Sequence, residues 1–134
     1  SSHVIPALIL KVHNAVKNND PWITAWGTGN ASREFLYAED CAEAIRLAIE
    51  TDTDPSVINI GTGSEIKIKD LLSKICSIMG FKGDIHWDSS KPDGQPRRCL
   101  DVSKAQDLLG FKASVDFDEG LRRTIEWFRD NTVY

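Results

Sequence analysis

The stretch from Ala25 to Asp40, A-W-G-T-G-N-A-S-R-E-F-L-Y-A-E-D, gathers groups that could bind an anion beside a flat ring. A tight double-glycine turn, Gly27 to Gly29, follows Trp26, and Arg33 comes just after it. An arginine beside a glycine turn can reach a phosphate as a bidentate donor. A tryptophan face can receive a base or a sugar, or simply join a core. Four more cations are candidates: Lys11, and Lys91, Arg97 and Arg98 in S-S-K-P-D-G-Q-P-R-R. Each reads equally as a solvated surface charge. Lys91 is favoured because prolines and a glycine limit how far its loop wanders. Asp93, in K-P-D-G, suits position i+2 of a turn as well as it suits a ligand.

His3 precedes the first helical pattern. An imidazole titrates near neutral pH and can act as acid or base, but no neighbour in sequence identifies its partner. His13 and His86 read as structural or surface. The cysteines Cys41, Cys76 and Cys99 are far apart and form no C-x-x-C, so they read as reduced core thiols, and no metal site is expected. The two G-T-G pieces, at Gly27 and Gly61, are too short for a dinucleotide fingerprint, and no P-loop occurs. The chain carries no complete phosphate loop of its own.

The elements that must position these groups are legible. Val4, Leu8, Val12, Ala15 and Val16 repeat at helical spacing, with Pro6 tolerated in the first turn, and N-N-D-P ends that helix near Lys17. W-I-T-A-W is a short strand, and Glu34–Tyr37 is expected to be another. A helix from Glu39 to about Thr51 carries Cys41, Ile45, Ala48 and Ile49 on one face. T-D-T-D-P is a loop. V-I-N-I-G at Val57–Gly61 is expected to be a buried strand. A helix follows from Ile68 to Met79, closed by Gly80, and then an edge strand, D-I-H-W-D. Asp101 caps a short helix ending at Gly110. Asp116 and Glu119, in capping-box spacing, open a last helix with the stripe Phe117, Leu121, Ile125 and Phe128.

With 134 residues, 41% hydrophobic and 27% charged, the chain is the size of one ordinary domain. Its net charge of −4 argues against a general nucleic-acid binder. No apolar run is long enough to span a membrane, and the start lacks the pattern of a signal peptide. Helices separated by short strands indicate a small α/β unit rather than a free-standing doubly wound domain.

Five stretches, in this order, resemble one family: S-H-V-I-P-A-L-I, W-G-T-G…R-E-F-L-Y-A-E-D, I-N-I-G-T-G, K-P-D-G-Q-P-R-R…L-D-V-S-K-A and G-L-R-R-T-I-E-W-F. Together they resemble the C-terminal part of extended short-chain dehydrogenase/reductases that act on nucleotide sugars, most closely the GDP-L-fucose synthases. The resemblance implies a mixed α/β substrate-binding subdomain, 1–134, whose N-terminal NADP-binding Rossmann domain is missing. Tyr37 is followed by A-E-D-C and is not the Tyr-x-x-x-Lys tyrosine of that domain. By the same resemblance His3 matches a general acid that approaches the nicotinamide. Lys11 stands where an arginine holds the diphosphate, which keeps the charge and loses the fork. Trp26 and Arg33 match substrate contacts, Lys91 and Asp93 a nucleotide-facing loop that Arg98 joins. The catalytic base, a cysteine in that family, matches none of the three here. The implied reaction inverts centres beside a 4-keto group and then reduces the ketone with NADPH. Lys11 and Asn30-Ala31-Ser32 leave room for another nucleotide-sugar 4-epimerase or 4,6-dehydratase, or for a non-catalytic sugar-nucleotide-binding module. The expected parent is a cytoplasmic homodimer, and the isolated chain is expected to be inactive.

Overall fold

The computed structural model describes residues 3–51 and 56–131. Most of the T-D-T-D-P loop lies outside them. In chain order the elements are α1 (Val4–Asn18), β1 (Trp22–Trp26), β2 (Ser32–Arg33), α2 (Ala38–Glu50), β3 (Ile66–Lys67), α3 (Ile68–Met79), β4 (Asp84–Asp88), α4 (Ser103–Leu109) and α5 (Phe117–Asn131). The arrangement is the small mixed α/β unit expected from the pattern of helices and short strands.

β1 and β4 pair in parallel, Trp22 opposite Asp84 through Trp26 opposite Asp88. A parallel pair requires a crossover, here the stretch containing α2 and α3. Its strands alternate: Ile23 and Ala25 face the core, while Trp22, Thr24 and Trp26 face outward. Over the inner face pack α1, α3 and α5, through Ile9, Val12, Leu71, Leu72, Ile75, Leu121 and Ile125. Residues Leu71, Leu72, Ile75, Cys76 and Met79 of α3 are all buried, as their spacing requires. Helix α1 buries Ile9, Val12 and Ala15, so Val4 and Val16 fall outside its contact stripe. A second cluster joins α2 and α4 through Ala44, Ala105, Leu109 and Phe111.

Four expectations need correction. Glu34–Tyr37 is not a strand. The paired segment is Ser32–Arg33, antiparallel to Ile66–Lys67, because the next residues leave the ladder to enter α2. Val57–Gly61 pairs with nothing among the described residues, and Val57 is 87% exposed. On α2 the buried stripe is Asp40, Ala44 and half-buried Leu47, which leaves Ile45 and Ile49 exposed. The two stripes lie about 100° apart on the helix, and the second is fixed by a carboxylate that hydropathy does not count. Helix α5 forms only half of its capping box. Asp116 accepts from the N–H groups of Asp118 and Glu119, but the Glu119 carboxylate turns to Arg122 and Arg123.

That carboxylate, Asp40, is 5% exposed and accepts from Ser114 N at 3.1 Å, Ser114 Oγ at 2.9 Å and Val115 N at 3.0 Å. Burial pushes its carboxyl up, but hydrogen bonds to the charged form outweigh burial and hold it below the ordinary value of 3.8. A depressed folded value contributes stability that is complete above the unfolded value and is lost as pH falls through the folded one. Asp40→Asn is therefore expected to flatten the acid limb of stability, whatever constant loss it brings at neutral pH. Urea unfolding between about pH 5 and about pH 2 measures this slope, and an unchanged slope would refute the assignment.

Candidate functional site

Parallel pairing places the C-terminal ends of β1 and β4 side by side, and ligands of parallel sheets bind beyond such ends. The chain leaves β1 into the Gly27–Gly29 turn and leaves β4 into the 89–98 loop. Side chains then join these two exits. The N–H of Gly27 donates to Asp88 O at 2.9 Å. Both oxygens of Asp93 accept from Thr28, Oδ1 from its N–H at 2.7 Å and Oδ2 from its hydroxyl at 2.6 Å. These Thr28 bonds, with smaller help from the Arg33 charge, hold the Asp93 carboxyl below its ordinary range. Gly27 has φ +80, and a Cβ there would lie 2.1 Å from Asp93 Oδ1, so both conformation and space demand glycine.

Arg33 completes the seam. Its Nη1 donates to Ser32 O at 2.6 Å and Gln95 O at 2.7 Å, while Ser32 N donates to Pro96 O at 2.9 Å. Nη2 and Nε of Arg33 donate to no described group and form the free side of the guanidinium. A cleft of about 260 Å³ beside it is lined by Arg33, Glu34, Leu36, Arg98, Cys99 and others. Arg98 makes no hydrogen bond or ion pair among the described residues. Arg97 does the opposite: its Nε sits 2.6 Å from Glu65 Oε1. Of the adjacent arginines, one is neutralised and one is not.

Lys91 lies 5.8 Å from the ring centroid of Trp26, itself 70% exposed, a cation–π arrangement. Lys11 reaches from α1 to the carbonyl of Thr24 on β1 and lines a separate cleft of about 520 Å³. His3 is the exposed N-cap of α1 with no side-chain capping bond, and it lines neither cleft. The structure thus sets Arg33 and Arg98 on one cleft, Lys91 over Trp26, Asp93 against Thr28 and Lys11 on a separate cleft, and His3 lines neither cleft. A third cleft of about 500 Å³, between Phe35, Lys74 and Phe117, holds none of these residues, and its Lys74 is paired with Asp118 at 2.7 Å.

Glu34 is the residue that sequence reasoning missed. Its Oε1 accepts from Thr62 N at 3.0 Å, and its Oε2 from Leu100 N at 3.0 Å and Cys99 Sγ at 3.1 Å. It holds the Gly61–Gly63 turn and the start of the last loop segment against β2. Nothing in R-E-F-L distinguishes such a glutamate from a surface one. The bond from Cys99 to Glu34, with burial behind it, pushes the thiol up, away from a nucleophilic thiolate.

Neither glycine turn can cradle a cofactor pyrophosphate. A phosphate nest needs free N–H groups, usually at a helix start. Here a carboxylate already faces each turn: Asp93 takes Thr28 N and Glu34 takes Thr62 N. The residues of this chain do not fit the phosphate end of a dinucleotide.

Residues 1–61 match the family described as the NAD dependent epimerase/dehydratase family. A probable GDP-L-fucose synthase 1 of Oryza sativa subsp. japonica is 41% identical over 133 residues, covering 99% of this chain and 40% of the relative. The GDP-L-fucose synthase of Escherichia coli (strain K12) is 41% identical over 140 residues, covering 98% of this chain and 43% of the relative. The crystal structure of a GDP-L-fucose synthetase from Naegleria fowleri bound to NADP superposes with a TM-score of 0.90 at 26% identity, covering 97% of this chain and 41% of that one. The chain therefore spans about 40% of the length of the curated relatives it matches.

Proposed function

We propose that this chain, a homologue of NAD-dependent epimerase/dehydratase family proteins, is the nucleotide-sugar-binding part of a longer NADP-dependent epimerase-reductase that converts GDP-4-keto-6-deoxymannose to GDP-L-fucose. The observation that carries the reading is the pair of guanidinium groups, Arg33 and Arg98, lining one cleft, with Arg33 bonded to the loop that follows β4. Two arginine forks in a cleft suit a diphosphate, whose oxygens accept parallel N–H bonds. Trp26 gives the adjoining sugar an apolar face, and Lys91 adds charge above that face. Asp93 acts by holding the loop, since Thr28 occupies both of its oxygens. Lys11 extends positive charge along the strip between α1 and β1. His3 is the acid that returns a proton during epimerisation, delivered to its place by the start of α1.

NADP supplies the hydride for the ketone, and its pocket belongs to the rest of the parent. The exposed Ile45, Ile49 and Val57 support that division. Ile45 and Ile49 share one face of α2, and V-I-N-I-G joins no sheet ladder among the described residues, although Val57 O accepts from Lys104 Nζ at 2.9 Å. Such exposed apolar side chains suit cover by another part of the same protein.

The test has two arms. The isolated chain is expected to bind GDP but neither to bind NADP tightly nor to turn over substrate. The full-length parent is expected to oxidise NADPH only in the presence of GDP-4-keto-6-deoxymannose. Turnover by the isolated chain overturns the division of labour, and a parent active only on another nucleotide sugar selects the 4-epimerase or 4,6-dehydratase reading instead. Lys91→Ala is expected to weaken GDP binding about 3-fold, the scale of one exposed cation. A larger loss, or none, would take Lys91 out of its assigned place.

A further inference from the structure

Arg97 and Arg98 are adjacent, yet only Arg98 lines the cleft of about 260 Å³. Arg97 is taken by Glu65, Nε to Oε1 at 2.6 Å, although its side chain stays 70% exposed. Glu65 is itself held from the other side, where its Oε2 accepts from Ser32 Oγ at 2.7 Å. Ser32 precedes Arg33, and its N–H donates to Pro96 O at 2.9 Å, just before Arg97. Gln95 O accepts from Arg33 Nη1 at 2.7 Å. The Glu65–Arg97 pair is thus tied to both arginines of the cleft, by sequence to Arg98 and through Ser32 to Arg33. Its charges are felt in the cleft as well. The Cys99 thiol, which lines it, is pushed up first by the Glu34 bond and by burial, but the Glu65 charge also raises it and the Arg97 charge lowers it.

We propose that Glu65 is a specificity-determining residue: by holding Arg97 it limits the cations of the cleft to Arg33 and Arg98, which suits a sugar-capped diphosphate and denies a third guanidinium to a free nucleotide. The inference rests on the nucleotide-sugar reading above and adds to it a discrimination between substrate and free nucleotide. The two ligand classes differ in charge. A diphosphate esterified at both ends carries one negative charge on each phosphate. A free nucleoside diphosphate ends in a phosphate monoester, which approaches two charges at neutral pH and titrates near about pH 6. Its terminal oxygens are open to a further donor, whereas the sugar occupies that end of the capped ligand. A third unpaired guanidinium beside Arg98 would therefore strengthen the free nucleotide more than the substrate. With Glu65 in place, a phosphate must displace a carboxylate to reach Arg97.

The experiment is calorimetric titration with GDP and GDP-mannose at low ionic strength, for the native chain, Glu65→Gln, Arg97→Ala and the double variant. Glutamine keeps an oxygen for Ser32 Oγ and loses the charge. An exposed ion pair contributes little to stability, so the variants are expected to fold. At about pH 7.5, Glu65→Gln is expected to tighten GDP about 4-fold, the upper range of one exposed ion pair, and GDP-mannose less than about 2-fold. In the double variant that gain is expected to vanish, because it belongs to Arg97. Near about pH 5 the gain in Glu65→Gln should fall below about 2-fold, as the terminal phosphate takes up its proton. The native Glu65 carboxylate stays ionised there, held below its ordinary range by Arg97 and then by Ser32. Glu34, Asp93 and Cys99 are common to all four chains and titrate alike in each. Equal tightening of both ligands by Glu65→Gln overturns the proposal, as does weaker binding of both, the result of losing a merely structural contact. A gain that persists without Arg97, or that is as large near about pH 5, overturns it too. If the native chain binds neither ligand, the nucleotide-sugar reading fails. If it binds both and Glu65→Gln changes nothing, only this inference fails.

Discussion

Arg33→Ala is expected to lower the affinity of the chain for GDP by at least about 30-fold. The guanidinium is oriented by two carbonyls on Nη1, Ser32 O and Gln95 O, Nη2 and Nε keep no hydrogen-bond partner among the described residues, and the side chain lines the cleft. A ligand phosphate meets a fork already held in place, so little side-chain entropy is lost on binding. Each charge-assisted bond contributes roughly 1.5–3 kcal/mol, and a loss of about 2 kcal/mol is about 30-fold. Arg33→Lys keeps the charge without the fork and is expected to fall between, near 10-fold. Arg97→Ala is the control. Its guanidinium is already bound to Glu65, which also accepts from Ser32 Oγ at 2.7 Å, so removing it should change affinity by less than about 3-fold. If Arg97→Ala weakens GDP as much as Arg33→Ala does, the diphosphate does not lie at the Arg33–Arg98 cleft.

The second large effect concerns stability. Glu34→Ala is expected to cost about 3 kcal/mol and lower the melting temperature by roughly 10 °C. It orphans three donors at once: Thr62 N, Leu100 N and Cys99 Sγ. It also leaves a gap at Gly61, where the backbone packs so closely that a Cβ would lie 1.8 Å from Glu34 Oε1. Glu34→Gln keeps the shape and loses the charge, so it should retain part of that stability. It should also lower the Cys99 thiol toward its ordinary range, because the Glu34 bond is the main influence raising it. Alkylation of Cys99 by iodoacetamide at neutral pH should then quicken. A melting temperature within about 2 °C of the native chain in Glu34→Ala would show that the three segments are held by packing instead.

The amino-acid sequence by itself determined the helices, because burial of periodic apolar side chains is a local signal repeated over several turns. Leu71, Leu72, Ile75, Cys76 and Met79 announce α3, and Gly80 and Gly110 announce where helices close. W-I-T-A-W and D-I-H-W-D announce the two strands that frame the candidate site. Tertiary structure alone decided what those strands do. They pair in parallel across the 57 residues from Gly27 to Gly83, a stretch containing α2 and α3, which no local pattern encodes. It decided which α2 stripe is buried, since the determinant is Asp40 reaching Ser114 and Val115 from a distant segment. It separated Arg98 from Arg97, two identical residues in one loop, by giving only one of them a carboxylate. It also raised Glu34 from an ordinary surface residue to the link between three segments. The physical reason is common to these cases. Apolar periodicity is written along the chain, whereas the partner of a charge is set by whichever segment folds against it.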